Sequence, residues 1–159
     1  MPYPDSLRHE LTALLRGGQA HASTKQILDD ISFEYVNKKP AGFSHSLWEL
    51  VDHLRFTQSD ILEFIVDPNY ETKEWPKAYW PHPDVPVTEK DWTSSLSTFW
   101  KDLAAFEELV SAEDADFFMP IPHCGAAKYT LFRQVLVVAD HNAHHLGQII
   151  LLRRALGIW

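Results

Sequence analysis

Apolar residues recur at intervals of three and four along several stretches of this chain, which is the spacing of an amphipathic helix. The clearest stretch is residues 131–156, and Thr130 just before it is a candidate N-cap. Its apolar face comprises Leu131, Phe132, Val135, Leu136, Ala139, Leu146, Ile149 and Ile150, with Arg153 in register. The pattern predicts one long helix with a wide face turned toward a core.

Three further long helices are predicted, at residues 5–16, 44–66 and 88–112, and a shorter helical piece at about 24–31. Their ends carry recognisable signals. Candidate capping boxes are Ser46 with Glu49 and Thr88 with Asp91, and Gly17-Gly18 follows the first helix. Because no segment alternates at two residues, we expect no sheet. The sequence therefore predicts an all-α four-helix bundle, in a single domain of residues 1–159, with long loops between helices 2–3 and 3–4.

The connection at residues 70–87 is unusually long, and it is rich in both proline and aromatic residues, including Trp80. A long loop of this kind in a small domain is often a functional lid. The alternative is that its aromatic side chains only plug the open end of the bundle. The sequence does not separate the two.

Composition and charge argue against some classes of function. The 159 residues are 45% apolar and carry a net charge of −8, and basic residues never cluster beyond a pair. Nucleic-acid binding is not expected, because phosphate contacts need a basic face. The single cysteine, Cys124, fits a reducing compartment. With no signal-peptide or membrane-spanning pattern in the sequence, we expect a cytoplasmic protein that does not associate with membranes.

Histidines suggest a metal site. His141 and His145 are four residues apart, so both project from one side of the last helix. His53 lies at the edge of the apolar face of 44–66 in the same way. Three imidazoles without a fourth protein ligand are typical of a catalytic site with an open coordination position. The pattern suggests a divalent ion, since neutral imidazole suits zinc, nickel, iron and copper. The competing interpretation is that these histidines simply pack or titrate at helix edges.

Several neighbours are candidates for supporting roles. Gln148 could hydrogen-bond a bound molecule or another helix, and Glu49 could support His53, although helix capping is the preferred interpretation for Glu49. His123, in the loop before the last helix, could reach the mouth of the site or be incidental, and Cys124 is more simply incidental. No catalytic residue is assigned.

Three segments resemble the DinB/YfiT-like family: HSLWELVDHLRFTQSDIL (45–62), EWPKAYWP (74–81) and ADHNAHHLGQIILLRRALGIW (139–159). The resemblance implies a four-helix bundle, commonly a homodimer, that binds a divalent metal through His53, His141 and His145. Characterised members of the wider superfamily use low-molecular-weight thiols such as bacillithiol and mycothiol. The resemblance therefore implies a metal-held thiol cofactor and a small electrophilic substrate, with the loop containing Trp80 as a pocket wall. One departure is the cysteine inserted between His123 and Gly125.

The sequence leaves three classes of function open. The first is a metal-dependent enzyme, a thiol-dependent S-transferase or a related hydrolase acting on small molecules. The second is a non-catalytic metal-binding or stress-response dimer, in which His123 or Cys124 would close the coordination sphere. The third is a helical interaction module without a metal.

Overall fold

The computed structural model describes residues 5–82 and 85–159, and these form five α-helices. The helices are α1 (Asp5–Arg16), α2 (Thr24–Leu28), α3 (Leu47–Val66), α4 (Glu89–Ser111) and α5 (Leu131–Ala155), joined by segments that include three short 3₁₀ turns. Within the described ranges the only β-type pairings are two isolated bridges. The predicted all-α fold is confirmed.

The helices begin where the predicted caps lie. Ser46 accepts a hydrogen bond from the Glu49 amide, and Glu49 accepts one from the Ser46 amide, so α3 begins at Leu47 and not at residue 44. Thr88 and Asp91 form the same reciprocal pair before α4. The short helix α2 ends at Leu28, earlier than predicted, because Asp29 takes an extended conformation with ψ of 154°.

Hydrogen bonds between helices give their directions. Ser95 of α4 donates to Asp52 of α3 at 3.1 Å, and Ser59 of α3 donates to Asp102 of α4. From the first contact to the second, the position on α3 and the position on α4 both advance by seven residues, so the two helices are parallel. α5 is antiparallel to α3. His53 contacts His145, and Gln58, five residues later on α3, contacts Asn142, three residues earlier on α5.

The core lies between α3, α4 and α5, and α1 and α2 close its remaining side. Its fully buried side chains include Leu47, Leu54, Phe99, Phe106, Val135, Leu146 and Ile149. One buried amide ties the three long helices together: Gln58 donates to the Phe99 carbonyl at 2.7 Å and accepts from Asn142 at 3.0 Å. A polar group at this depth is stable only with such partners.

The parallel pairing of α3 and α4 determines the course of the connection between them. A helix of 20 residues is about 30 Å long, so the chain that leaves α3 at residue 67 must return along α3 before α4 can begin. Tyr70 and Tyr79 contact Asp60 on the way, and Trp80 reaches His53. The connection therefore lies against the histidine-bearing face of α3.

Among residues 5–82 and 85–159, no helix combines the length and apolar character that crossing a bilayer requires.

Candidate metal centre

Two helices bring three imidazoles to one point. His53 projects from α3, and His141 and His145 project from successive turns of the antiparallel α5. The Nε2 atom of His53 lies 3.1 Å from Nε2 of His145 and 3.1 Å from Nε2 of His141. Two nitrogens that bind one tetrahedral zinc at about 2.0–2.1 Å lie about 3.3–3.4 Å apart. Both distances from His53 Nε2 are close to that value, and the ligand atoms of all three residues lie within 4.8 Å of one another. The structure therefore brings the three predicted residues together.

The second nitrogen of two of these rings already has a partner. Nδ1 of His53 donates to the Tyr79 carbonyl at 2.7 Å, and Nδ1 of His145 donates to Oε1 of Gln148 at 2.7 Å. With the proton on Nδ1, each neutral ring presents an unprotonated Nε2 to its neighbours. Lone pairs facing one another at 3.1 Å repel unless a cation lies between them. The donor set thus fits a divalent metal, and the two outer hydrogen bonds are of the kind that orients ligating histidines.

Burial and mutual repulsion keep the rings neutral. Burial lowers the pKa of His141 to about 3, and the neighbouring His145 and His53 add to the effect. Burial likewise lowers the pKa of His145 to about 4, against the hydrogen bond to Gln148, which raises it. The pKa of His53 is also lowered, chiefly by burial, with the Tyr79 carbonyl working in the opposite direction. Neutral imidazole is the form that binds a metal, so these surroundings leave the rings ready to ligate at neutral pH.

Trp80 covers one side of the centre. Its indole stacks on the His53 ring with centroids 3.9 Å apart and planes only 2° from parallel. The His45 ring stacks on Trp80 in turn, at 4.2 Å. Trp80 therefore lies between a candidate ligand and His45, a histidine that precedes the N-cap of α3. The only signal in the sequence was the position of His45 just before the N-cap of α3, eight residues before His53.

A buried carboxylate holds the connection in place. Asp60, two turns after His53 on α3, is 7% exposed and accepts hydrogen bonds from the hydroxyls of Tyr70 at 2.9 Å and Tyr79 at 2.6 Å. Burial and the Asp60 carboxylate raise the pKa of Tyr70 to about 12 and raise the pKa of Tyr79 as well, so both phenols stay protonated and continue to donate. Sequence reasoning missed this cluster, although the seven-residue spacing from His53 places Asp60 on the same helix face.

The other predicted supporting residues separate into two groups. Gln148 contacts His145, as described above. Glu49 caps α3 and forms an ion pair with Lys39 at 2.8 Å, which is the capping role that the sequence favoured. His123 lies elsewhere: its Nε2 donates to the Phe64 carbonyl at 2.5 Å, near the end of α3 remote from His53. The Phe64 ring also packs edge-on against the His123 ring, with centroids 5.6 Å apart.

No fourth ligand joins the three histidines within the described part of the chain. Among the described His, Cys, Asp and Glu side chains, only His53, His141 and His145 cluster their ligand atoms, which lie within 4.8 Å of one another. Cys124 is a half-buried free thiol outside this group. One side of a bound ion would therefore be available to a molecule that is not part of these residues.

Comparison with known proteins agrees with this geometry. No curated protein and no solved structure matches the chain significantly. The sequence profile of the DinB superfamily matches residues 18–149, a range that contains α2 to α4, all three histidines and most of α5. By this match over most of its length, the chain belongs to the DinB superfamily.

Proposed function

We propose that this protein is a metal-dependent enzyme that transfers a low-molecular-weight thiol to a small electrophile. His53, His141 and His145 would hold the divalent ion, with zinc or nickel as the expected metal and iron or manganese as alternatives. The thiol-dependent reaction comes from the family resemblance, and the metal site comes from the chain's own residues.

The observation that carries the proposal is the convergence of ring nitrogens from His53, His141 and His145 without a fourth protein donor among the described residues. Structural zinc sites are usually closed by four protein ligands, whereas catalytic sites keep one position for water or substrate. This arrangement favours an enzyme over a purely structural metal protein. The remote position of His123 also removes one of the two residues that could have closed the site.

When bound, the ion would coordinate the sulfur of the thiol and favour its thiolate form, which is the reactive nucleophile. In the proposed reaction the sulfur forms a bond to the electrophilic carbon, the leaving group departs with its bonding electron pair, and the thiol proton passes to solvent. The Tyr79 carbonyl and Gln148 hold the protons on Nδ1 of His53 and His145, so the Nε2 atom of each ring would be free to bind the ion. Trp80 shields the His53 ring from water on one face.

Two measurements test the proposal in sequence. Metal analysis of freshly purified protein should give close to one divalent ion per chain, and His141→Ala should lose it. The metal-loaded protein is then assayed with a panel of bacterial thiols, including bacillithiol and mycothiol, against small electrophiles, with His141→Ala as the inactive control. Stoichiometric metal without turnover of any pair would refute the transferase and leave a metal-binding protein.

A homodimer is also proposed, on the family tendency alone. Light scattering coupled to gel filtration measures the mass directly, and a mass of one chain would refute it.

A further inference from the structure

Asp60 is a buried carboxylate on the same face of α3 as His53, and it binds the connection that covers the metal centre. It lies two turns beyond His53 on the same helix and is 7% exposed. Its two oxygens each accept from a different tyrosine hydroxyl, Tyr70 on Oδ1 and Tyr79 on Oδ2. A buried charge is retained only when hydrogen bonds compensate its lost hydration, so these two phenols and the carboxylate form one unit.

Tyr79 links this unit to the metal centre. Its hydroxyl is held by Asp60, and its backbone carbonyl accepts the Nδ1 proton of His53 at 2.7 Å. The following residue, Trp80, stacks on the same His53 ring. One side-chain hydrogen bond thus fixes the position of both groups that orient His53. Without it, residues 77–80 would be held to α3 by the His53 contacts themselves and by ring contacts such as that of Tyr79 with Phe56 at 5.1 Å.

We infer that Asp60 is a positioning residue of the metal centre: by anchoring Tyr79 it places the carbonyl and the indole that orient His53 for ligation. The inference rests on the metal binding in the proposed function, and it explains how the His53 ring is held in its orientation. Groups that orient metal-ligating histidines typically change metal affinity 10–100-fold when removed. Because Asp60 acts through one intervening residue, we expect an effect near the lower end of that range, about tenfold.

The experiment uses the full chain and Co²⁺ as the probe, because cobalt reports both affinity and ligand geometry through its visible absorption. Dissociation constants are measured by competition with a chelator for wild type, Asp60→Asn and Tyr79→Phe. Asp60→Asn keeps the side-chain volume and removes the charge. Tyr79→Phe removes only the hydroxyl and keeps the backbone carbonyl. Asp102→Asn is the matched control, since Asp102 is another buried carboxylate, on α4, that accepts from Ser59.

The expected result is about tenfold weaker cobalt binding for Asp60→Asn, a smaller weakening for Tyr79→Phe, and an altered cobalt spectrum in both. Asp102→Asn should keep the wild-type affinity and spectrum, even if it unfolds more readily. If the two residues act through one hydrogen bond, the double variant should bind no more weakly than Asp60→Asn alone. Thermal unfolding of each metal-free variant establishes that the measured protein is folded.

Three outcomes would overturn the inference. Wild-type affinity and spectrum in folded Asp60→Asn and Tyr79→Phe would make Asp60 a purely structural residue and leave the proposed function intact. An equal loss of cobalt affinity in Asp102→Asn would show that the effect of Asp60→Asn is not specific to the position of Asp60. A wild-type protein that binds no cobalt would refute both the metal centre and the role of Asp60.

Discussion

Acid should destabilise the metal-free protein in a window set by its histidines. In the folded protein the pKa of His141 is about 3 and that of His145 about 4, whereas an unfolded-chain histidine titrates near 6.5. Between these values the unfolded chain binds protons that the folded chain does not. Stability is therefore full above about pH 6.5 and is lost progressively as the pH falls toward 4.

The magnitude follows from the width of that window. At pH 5 the pH lies about 1.5 below the unfolded pKa, and each pH unit is worth about 1.36 kcal/mol per proton. Each histidine then costs the folded state ~2 kcal/mol, and the pair ~3–4 kcal/mol after allowance for the partial exposure of His141. His53 acts in the same direction. This is a large share of the 5–15 kcal/mol that stabilises a typical domain.

Urea unfolding in excess chelator, followed by tryptophan fluorescence at pH 6.5, 6.0, 5.5 and 5.0, measures this loss. Carboxylates with a lowered pKa, such as Glu49, titrate below the window and do not contribute to it. His145→Gln should reduce the slope of unfolding free energy against pH by about 1.36 kcal/mol per unit. His9→Gln, on the exposed side of α1, is the matched control for the substitution. Equal slopes for wild type and His145→Gln would refute the reasoning.

Three further predictions concern metal affinity and the fold. Gln148→Leu removes the acceptor for Nδ1 of His145 and should weaken zinc binding about 10–100-fold by chelator competition; unchanged affinity would deny Gln148 its orienting role. Zinc at 100 times its dissociation constant should stabilise the wild type by about 2.7 kcal/mol in urea unfolding, and His53→Ala should abolish that gain; a variant that keeps the gain would exclude His53 as a ligand. Arg153→Met should cost about 1–3 kcal/mol of unfolding free energy, because the buried guanidinium donates to the Ile27 and Asp29 carbonyls; an unchanged urea midpoint would contradict this.

Helix spacing predicted the three candidate ligands because their placement depends on local rules. His141 and His145 share a side of α5 by the period of the helix alone. When α3 packs against α5, a histidine at the edge of the apolar face of α3 lies next to His141 and His145. The apolar periodicity of α3 placed His53 at that edge. The capping boxes of α3 and α4 were predictable for the same reason, since each joins residues only three positions apart.

Loop residues were harder to place, because a loop has no period. Nothing in the sequence near His123 indicates that its ring turns toward Phe64 and not toward the centre. The link from Asp60 to Tyr79 joins residues 19 positions apart across an irregular segment. Trp80 could be assigned to a pocket wall by family resemblance, but its stacking between His45 and His53 depends on the path of the connection.

That path has a topological cause. Because α3 and α4 are parallel, the chain leaving the end of α3 must return along its length before α4 can start, and the buried face of α3 is already occupied by α4 and α5. The returning segment therefore runs over the edge that carries Asp60 and then His53, in reverse order along the helix. In an antiparallel pair a short turn would have sufficed, and His53 would lack both its carbonyl partner and its indole cover. The long connection is thus a consequence of helix direction, and the histidine centre depends on it.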